Sequence, residues 1–258
     1  MTLDWLAKIL RLPERFLSSS PGPGGAVIQG SAGESVIVIL LAAMRRAQRR
    51  KAGADEHALT VGGDEGATDV GRDRCVVYCS DQTHAIVKKA CMVLGLRCRA
   101  LETSPSDNFA LRGAAVSAAI EEDRAAGMLP VAVIGTSGTT TSCAFDALPE
   151  LADACEPHGL WLHVDAAYGG AYACLDELAP RFAGLERETT RDSIRTRRHV
   201  HARACACVQL ELQLRRLRLR LRQVATPSAS TPTRSCSSPS TSPPSTSPTA
   251  GLCWPRSH

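Results

Sequence analysis

The stretch CVVYCSDQTHAIVKKACMVL, residues 75–94, decides the fold, because a short apolar run passes directly into an amphipathic one. Residues 75–79 have the composition of a strand buried on both faces, and residues 83–94 have helical spacing. The alternation continues downstream, with strands predicted at 96–101, 131–134 and 160–164 and helices at 112–126 and 148–158. Short strands separated by helices indicate right-handed crossovers and a mostly parallel sheet with both faces covered. The sequence therefore predicts an α/β domain.

Two further helices are predicted before this alternation. The first, at residues 4–12, ends at Pro13, which cannot continue a helix. The second, at residues 32–46, has Ser31 as a candidate N-cap and Glu34 three residues later, and this pair is typical of a capping box.

Three polar segments follow predicted strands, namely SDQTH (80–84), TSGTTT (136–141) and DAAY (165–168). The carboxyl ends of parallel strands meet at one edge of a sheet, where α/β folds bind their ligands. We therefore expect these three loops to converge on one site.

Four motifs in this frame resemble those of the group II pyridoxal phosphate-dependent decarboxylases. They are GSAGE (30–34), SDQTHAIVKKA (80–90), GTSGTTT (135–141) and HVDAAYGGA (163–171). The sequence is most similar to the aromatic-L-amino-acid decarboxylase branch, including the plant tyrosine and tryptophan decarboxylases, from about residue 1 to residue 186. The resemblance implies a partial three-layer large domain of the PLP-dependent transferase type, fold type I, as in aspartate aminotransferase. It also implies pyridoxal 5'-phosphate as cofactor.

The resemblance assigns catalytic roles to Asp165 and His84. A pyridoxal ring acts as an electron sink while its nitrogen stays protonated, and a buried carboxylate opposite that nitrogen raises its pKa. Asp165 is the candidate for this carboxylate, and the alternative is an ordinary aspartate that caps a turn at the end of a strand. His84 matches a histidine that stacks on the ring and takes part in catalysis, and the alternative is a plain core or capping histidine.

The remaining cofactor contacts are assigned to small residues. Ala32 and Gly33 lie at a predicted helix N-terminus, which offers free N–H groups to a phosphate. The family usually has a hydroxyl or thiol residue at the position of Gly33, so one side-chain contact is lost here. Thr140 and Ala167 match positions that touch the cofactor, although the threonine-rich turn can also satisfy its own backbone. Tyr168 is predicted to be a packing residue.

A lysine is missing from the place where the family has one. Pyridoxal enzymes hold the cofactor as a Schiff base with a lysine, which in this family follows the HVDAAY segment in an HKW motif. The four lysines here are Lys8, Lys51, Lys88 and Lys89, and none follows residue 89. We therefore expect little or no turnover from this chain.

The composition changes where that motif would come. Residues 1–186 hold 17 Lys+Arg against 23 Asp+Glu, whereas the remainder holds 13 against 3. Residues 226–258 contain 23 Ser, Thr or Pro among 33 residues, a composition that cannot bury a core. We expect a partial decarboxylase domain at 1–186 and, at 187–258, a basic and then Ser/Thr/Pro-rich disordered tail. The tail is interpreted as the product of a frameshift or mis-splicing, with a genuine tail as the alternative.

The function implied by the resemblance is decarboxylation of an aromatic L-amino acid (Tyr, Trp or DOPA) to its amine, in the cytoplasm. The family forms homodimers, and loss of dimerisation in this chain stays open. A catalytically dead fragment that binds a homologous subunit stays open, as does binding of nucleic acid through the Leu/Arg stretch at 210–221. Nucleic acid is the weaker alternative, because no aromatic residues interrupt that stretch.

Composition argues against several other classes of protein. No run approaches the ~20 apolar residues of a membrane span, and the first residues do not resemble a secretory signal. The 11 cysteines are odd in number and lack CxxC spacing, so neither a disulfide framework nor a metal site is favoured. Buried, reduced thiols are expected instead.

Overall fold

The computed structural model describes residues 2–21, 24–53 and 70–185. The predicted tail at 187–258 and its Leu/Arg stretch lie outside the described residues. None of the helices within the described ranges is both long enough and apolar enough to span a bilayer.

Four parallel strands form the sheet in the described part of the chain. They are β1 (Cys75–Ser80), β2 (Arg97–Leu101), β3 (Leu129–Thr136) and β4 (Trp161–Asp165), arranged in the order β2-β1-β3-β4. From β1 the chain continues to β2 on one side of the sheet, and from β3 it continues to β4 on the other side. The direction of the strand order therefore reverses between the neighbouring strands β1 and β3, which is called the switch point. Such a reversal of strand order opens a crevice at the carboxyl edge, where ligands bind. The predicted parallel sheet is confirmed.

Among the residues that the structure describes, five α-helices accompany the sheet: α1 (Thr2–Ile9), α2 (Ala32–Lys51), α3 (Ile86–Leu94), α4 (Gly113–Ala125) and α5 (Leu148–Cys155). One face of the sheet packs against α2 and α3 in a buried apolar cluster that includes Val77, Ile134 and Leu40. The other face packs against α4 and α5 in a second cluster that includes Val133 and Leu151. This arrangement gives the three layers that the alternation of strands and helices predicts.

The helix ends differ from the sequence prediction at several positions. The helix predicted at 4–12 is Thr2–Ile9, and Arg11 has a positive φ of 56° that ends it before Pro13. The helix predicted from residue 83 begins at Ile86, because Thr83 is bonded to Ser80 in the preceding turn.

The helix predicted at 148–158 is α-helical only to Cys155 and continues as a 3₁₀ turn, Glu156–His158. Pro157 has no N–H to donate to an α-helical bond, and Gly159 then reverses the chain with φ +55°. The helix predicted at 32–46 extends to Lys51, because the added residues are mostly good helix formers.

The capping box at the start of α2 is present. Ser31 Oγ accepts a hydrogen bond from the Glu34 N–H at 3.1 Å. Glu34 Oε2 in turn accepts from the Gly30 N–H at 3.0 Å, one residue earlier than the usual partner. These bonds fix the direction in which the chain enters α2. They use the N–H groups of Gly30 and Glu34 and leave those of Ala32 and Gly33 available.

Candidate active site

The loop after β1 is tied to the end of β3 by hydroxyl groups. Thr83 Oγ1 lies 3.0 Å from Ser80 Oγ and accepts a hydrogen bond from the Ser80 N–H at 3.1 Å. The same oxygen lies 3.4 Å from Thr136 Oγ1 at the last position of β3. The segment SDQTH, which follows β1, is therefore held against the end of β3.

The loops after β3 and β4 approach each other just as closely. Thr136 pairs with Asp165 in the sheet register, and the Ser137 N–H donates to the Asp165 carbonyl at 2.9 Å. Gly169 is required at this crossing, because a Cβ there would lie 2.2 Å from the carbonyl oxygen of Ser137. All three predicted loops thus converge at the carboxyl edge of the sheet.

Asp165 is a buried carboxylate, with 4% of its surface exposed. Its Oδ1 accepts from the Ala167 N–H at 3.0 Å, so one oxygen does cap its own turn as the alternative interpretation predicted. Within residues 2–21, 24–53 and 70–185 it forms no ion pair. Buried charges are normally paired, so this position suits a cationic or N–H group of a ligand.

His84 lies in the turn just before α3 and is exposed. Its Nδ1 accepts from the Ile86 N–H at 3.2 Å, so in the neutral ring the proton is on Nε2. This bond fixes the imidazole at the helix N-terminus with Nε2 directed away from the backbone it caps. Among the described residues, no hydrogen bond joins His84 to Asp165.

Ala32 and Gly33 occupy the first turn of α2. Their N–H groups have no acceptor in the helix, and no hydrogen bond of the described residues uses them. A Cβ built on Gly33 would have its nearest neighbour, Ser31 Oγ, at 3.8 Å, an ordinary van der Waals distance, so no atom of the described chain crowds this turn. The turn can therefore bind an anion through its backbone, although no hydrogen bond of the described chain connects it to the three loops.

Thr139 and Thr140 divide the two interpretations of the threonine-rich turn. Thr139 Oγ1 accepts from the Ala144 N–H at 3.0 Å and bonds to Ser142 Oγ at 2.8 Å, so it satisfies the turn itself. The neighbouring Thr140 is exposed, and its side chain makes no hydrogen bond within the described residues. Ala167 is half-buried beside Asp165. The Thr140 side chain and the Ala167 methyl group are therefore available to contact a ligand, while the Ala167 N–H donates to Asp165.

Sequence reasoning missed Asp146, which is 4% exposed. Its Oδ1 accepts from the Leu111 N–H at 2.8 Å and its Oδ2 from the Thr136 N–H at 2.7 Å. Burial raises the pKa of Asp146 to about 6, against the opposing effect of these two N–H donors. The carboxylate clamps the end of β3, and its only signal in the sequence is a lone acid before an apolar helix.

Two further residues near the site differ from the sequence prediction: Ser137 was not predicted as a site residue, and Tyr168 was predicted to be a packing residue. Ser137 Oγ is buried and has no hydrogen-bond partner among the described residues, which suits a polar ligand atom. Tyr168, predicted to be a packing residue, is 42% exposed instead. Its hydroxyl accepts from Cys143 Sγ at 3.9 Å, because the ring leans over the loop that contains Gly138.

Comparison with known proteins gives a consistent result. The family model described as the pyridoxal-dependent decarboxylase conserved domain matches residues 1–208. An aromatic-L-amino-acid decarboxylase from Bos taurus is 42% identical over 185 residues, which are 71% of this chain and 36% of that protein. A 3,4-dihydroxyphenylacetaldehyde synthase from Drosophila melanogaster is 42% identical over 187 residues, 72% of this chain and 35% of that protein.

A solved structure supports the same relationship. The crystal structure of Oryza sativa TDC with PLP and tryptamine superimposes with a TM-score of 0.62 and 36% identity, covering 72% of this chain and 38% of that one. The chain thus spans about a third of the length of the relatives it matches. The predicted resemblance and fold type are confirmed.

Proposed function

The chain belongs to the pyridoxal-dependent decarboxylase family, and we propose that its described residues form the non-covalent part of a pyridoxal phosphate site for an aromatic L-amino acid. The family is one of carboxy-lyases that use pyridoxal phosphate. Bound pyridoxal phosphate supplies an electron sink for the electron pair left when a carboxyl group departs as carbon dioxide. The residues of this chain orient that cofactor and control its proton.

Asp165 holds a proton on the pyridine nitrogen. The observation that carries the proposal is this carboxylate, which is buried at the end of β4 without an ion pair to any residue that the structure describes. It lies beside the crevice between the loops after β1 and β3. A ring N–H facing this buried carboxylate would gain a charged acceptor, so the proton would be retained. The bond from Ala167 occupies one oxygen and fixes the direction of the carboxylate.

The other residues bind the remaining edges of the cofactor. The free N–H groups of Ala32 and Gly33, at the positive end of α2, suit the phosphate. The imidazole of His84 is held by Ile86 for stacking on the ring. We assign Thr140 to a polar substituent of the ring and Ala167 to its face. None of these contacts needs the lysine that the sequence lacks after residue 89.

The cofactor site is tested by equilibrium dialysis of the full chain against pyridoxal phosphate. Asp165→Asn keeps the shape but removes the charge, and we expect binding to weaken at least about tenfold, because one charge-assisted hydrogen bond is worth ~1.5–3 kcal/mol. Asp153→Asn, an exposed acid on α5, is the matched control. Equal affinity of the wild type and Asp165→Asn would overturn the assignment.

Activity is a separate question, because the printed sequence has no lysine beyond Lys89. We propose that this chain alone releases little or no carbon dioxide from carboxyl-labelled Tyr, Trp or DOPA. Release at a rate that grows with enzyme concentration would refute this. The relatives include both a decarboxylase and an aldehyde synthase, so the organic product of any turnover, amine or aldehyde, should be identified by mass spectrometry.

The proposal also covers the location of the protein, its oligomeric state and its domain boundary. We propose a cytoplasmic homodimer, as the resemblance implies, and a domain boundary near residue 186. Sedimentation equilibrium tests the dimer, and limited proteolysis followed by mass measurement tests the boundary. A monomer at all concentrations, or cleavage distributed evenly along the chain, would contradict these two expectations.

A further inference from the structure

Three thiols meet on the α2/α3 face of the sheet, outside the residues assigned to the cofactor. Cys79 Sγ on β1 lies 3.7 Å from Cys98 Sγ on β2. The thiol of Cys91 on α3 also interacts electrostatically with Cys98. Cys79 and Cys91 are buried, whereas Cys98 is only half-buried. Cys98 is therefore the shared neighbour of two thiols and the one that solvent can reach.

The surroundings make the three thiols chemically unequal. The hydrogen bond from Cys79 and the interaction with Cys91 lower the pKa of Cys98, with a smaller contribution from the Lys88 cation. Interaction with Cys98 and burial raise the pKa of both Cys79 and Cys91. A thiolate is the reactive form of cysteine, so Cys98 is the nucleophile and its neighbours hold their protons.

We propose that Cys98 and Cys79 form a reversible redox pair that a hydroperoxide oxidises. The Cys98 thiolate attacks one peroxide oxygen, so an S–O bond forms, the O–O bond breaks, and hydroxide or alkoxide leaves. The Cys79 sulfur then attacks Cys98, so an S–S bond forms, the S–O bond breaks, and water leaves with the Cys79 proton. Two electrons pass from the two thiols to the peroxide, and an external dithiol returns them.

Closure requires movement of one strand along the other. The sulfurs must approach from 3.7 Å to a bond length of ~2.05 Å. Cys98 pairs with Val77 and Cys79 pairs with Ala100, so the two cysteines lie diagonally across the β1/β2 pair. In the described part of the chain β2 is an edge strand, so it can slide along β1 without breaking a second pairing. Cys79 directly precedes Ser80, which holds Thr83, so the disulfide forms at the base of the SDQTH loop.

Peptide mapping tests the pair. The reduced full chain is treated with equimolar hydrogen peroxide, the remaining thiols are alkylated, and tryptic peptides are separated by mass. Trypsin cleaves after Arg74, Lys88, Lys89, Arg97 and Arg99, so Cys79, Cys91 and Cys98 fall in different peptides. The Cys79 peptide also contains Cys75, and fragment ions show which of these two sulfurs carries the cross-link. We expect a cross-link between the Cys79 and Cys98 peptides, with a loss of ~2 Da relative to the two free thiols, that dithiothreitol reverses.

Two variants separate the roles of the sulfurs. Cys98→Ser should lose the cross-link, whereas Cys79→Ser should leave a sulfenic acid on Cys98 that dimedone traps. Cys155→Ser, a buried thiol on α5 away from the cluster, should oxidise as the wild type does. Oxidation confined to the exposed Cys143 and Cys174, or a cross-link from Cys98 to Cys91, would overturn the proposal. The cross-link and the dimedone adduct are measured without pyridoxal phosphate, so these two results do not depend on cofactor binding.

Discussion

The clamp formed by Asp146 should make the stability of the chain depend on pH. Its pKa is raised from 3.8 to about 6, so between these two values the folded chain holds a proton that the unfolded chain has lost. The stabilisation is complete below pH 3.8 and disappears as pH rises through about 6. At 1.36 kcal/mol per pH unit, this shift is worth about 3 kcal/mol.

The perturbation that isolates this effect is Asp146→Asn, which is neutral at every pH. Its amide keeps one acceptor, so only one of the Leu111 and Thr136 N–H groups stays satisfied, at a constant cost of ~1–3 kcal/mol. Against this constant cost, the wild type should lose about 2 kcal/mol of unfolding free energy relative to the variant between pH 4 and pH 7, because part of the full effect has already been lost at pH 4.

Urea unfolding at pH 4, 5, 6 and 7 and constant ionic strength measures this difference. Asp107→Asn, an exposed aspartate, is the control for general charge effects. A difference between wild type and Asp146→Asn that stays flat across this range would refute the reasoning. It would show that the two N–H donors keep the carboxylate ionised in spite of its burial.

Three substitutions test the packing around the site, each by urea unfolding. Gly169→Ala should destabilise the chain by ~1–3 kcal/mol, because its Cβ would lie 2.2 Å from the Ser137 carbonyl oxygen; an unchanged midpoint would contradict the close crossing. Gly33→Ala, whose Cβ would meet Ser31 Oγ at an ordinary contact distance of 3.8 Å, should instead stabilise α2 by ~0.5–1 kcal/mol, and a loss of stability would show that the methyl group does not fit. Tyr78→Phe should cost ~1–2 kcal/mol, because the buried hydroxyl donates to Asp123 Oδ2 at 2.9 Å; a neutral effect would mean that this bond contributes nothing.

The elements of the fold could be predicted because their signals are local. The run at 75–79 is apolar at every position, and the observed β1 is buried throughout. Gly95 and Gly127, which follow predicted helices, both have positive φ and end α3 and α4. The prediction is wrong at Pro157, because apolar spacing alone does not take account of the missing N–H of proline, which ends the α-helix.

The site was less predictable because its contacts connect distant parts of the chain. Asp146 bonds to backbone groups 10 and 35 residues away, and no periodicity marks such a residue. Cys79 and Cys98 are 19 residues apart, and only the pairing of β1 with β2 brings them together. The assigned cofactor residues were found through motif resemblance, and their roles stay predictions.

The strand order explains why residues from three separate loops come together. Because β2 and β3 lie on opposite sides of β1, the loops after β1 and β3 border one crevice, and β4 adds Asp165 directly beside it. In the proposed site Asp165 would bind the ring nitrogen of the cofactor and the N-terminus of α2 its phosphate. Covalent attachment requires an amine instead, and Lys88 and Lys89 are both exposed on α3. Cofactor affinity and turnover are therefore separable in this chain, and a variant such as Asp165→Asn should change the first even where the second is absent.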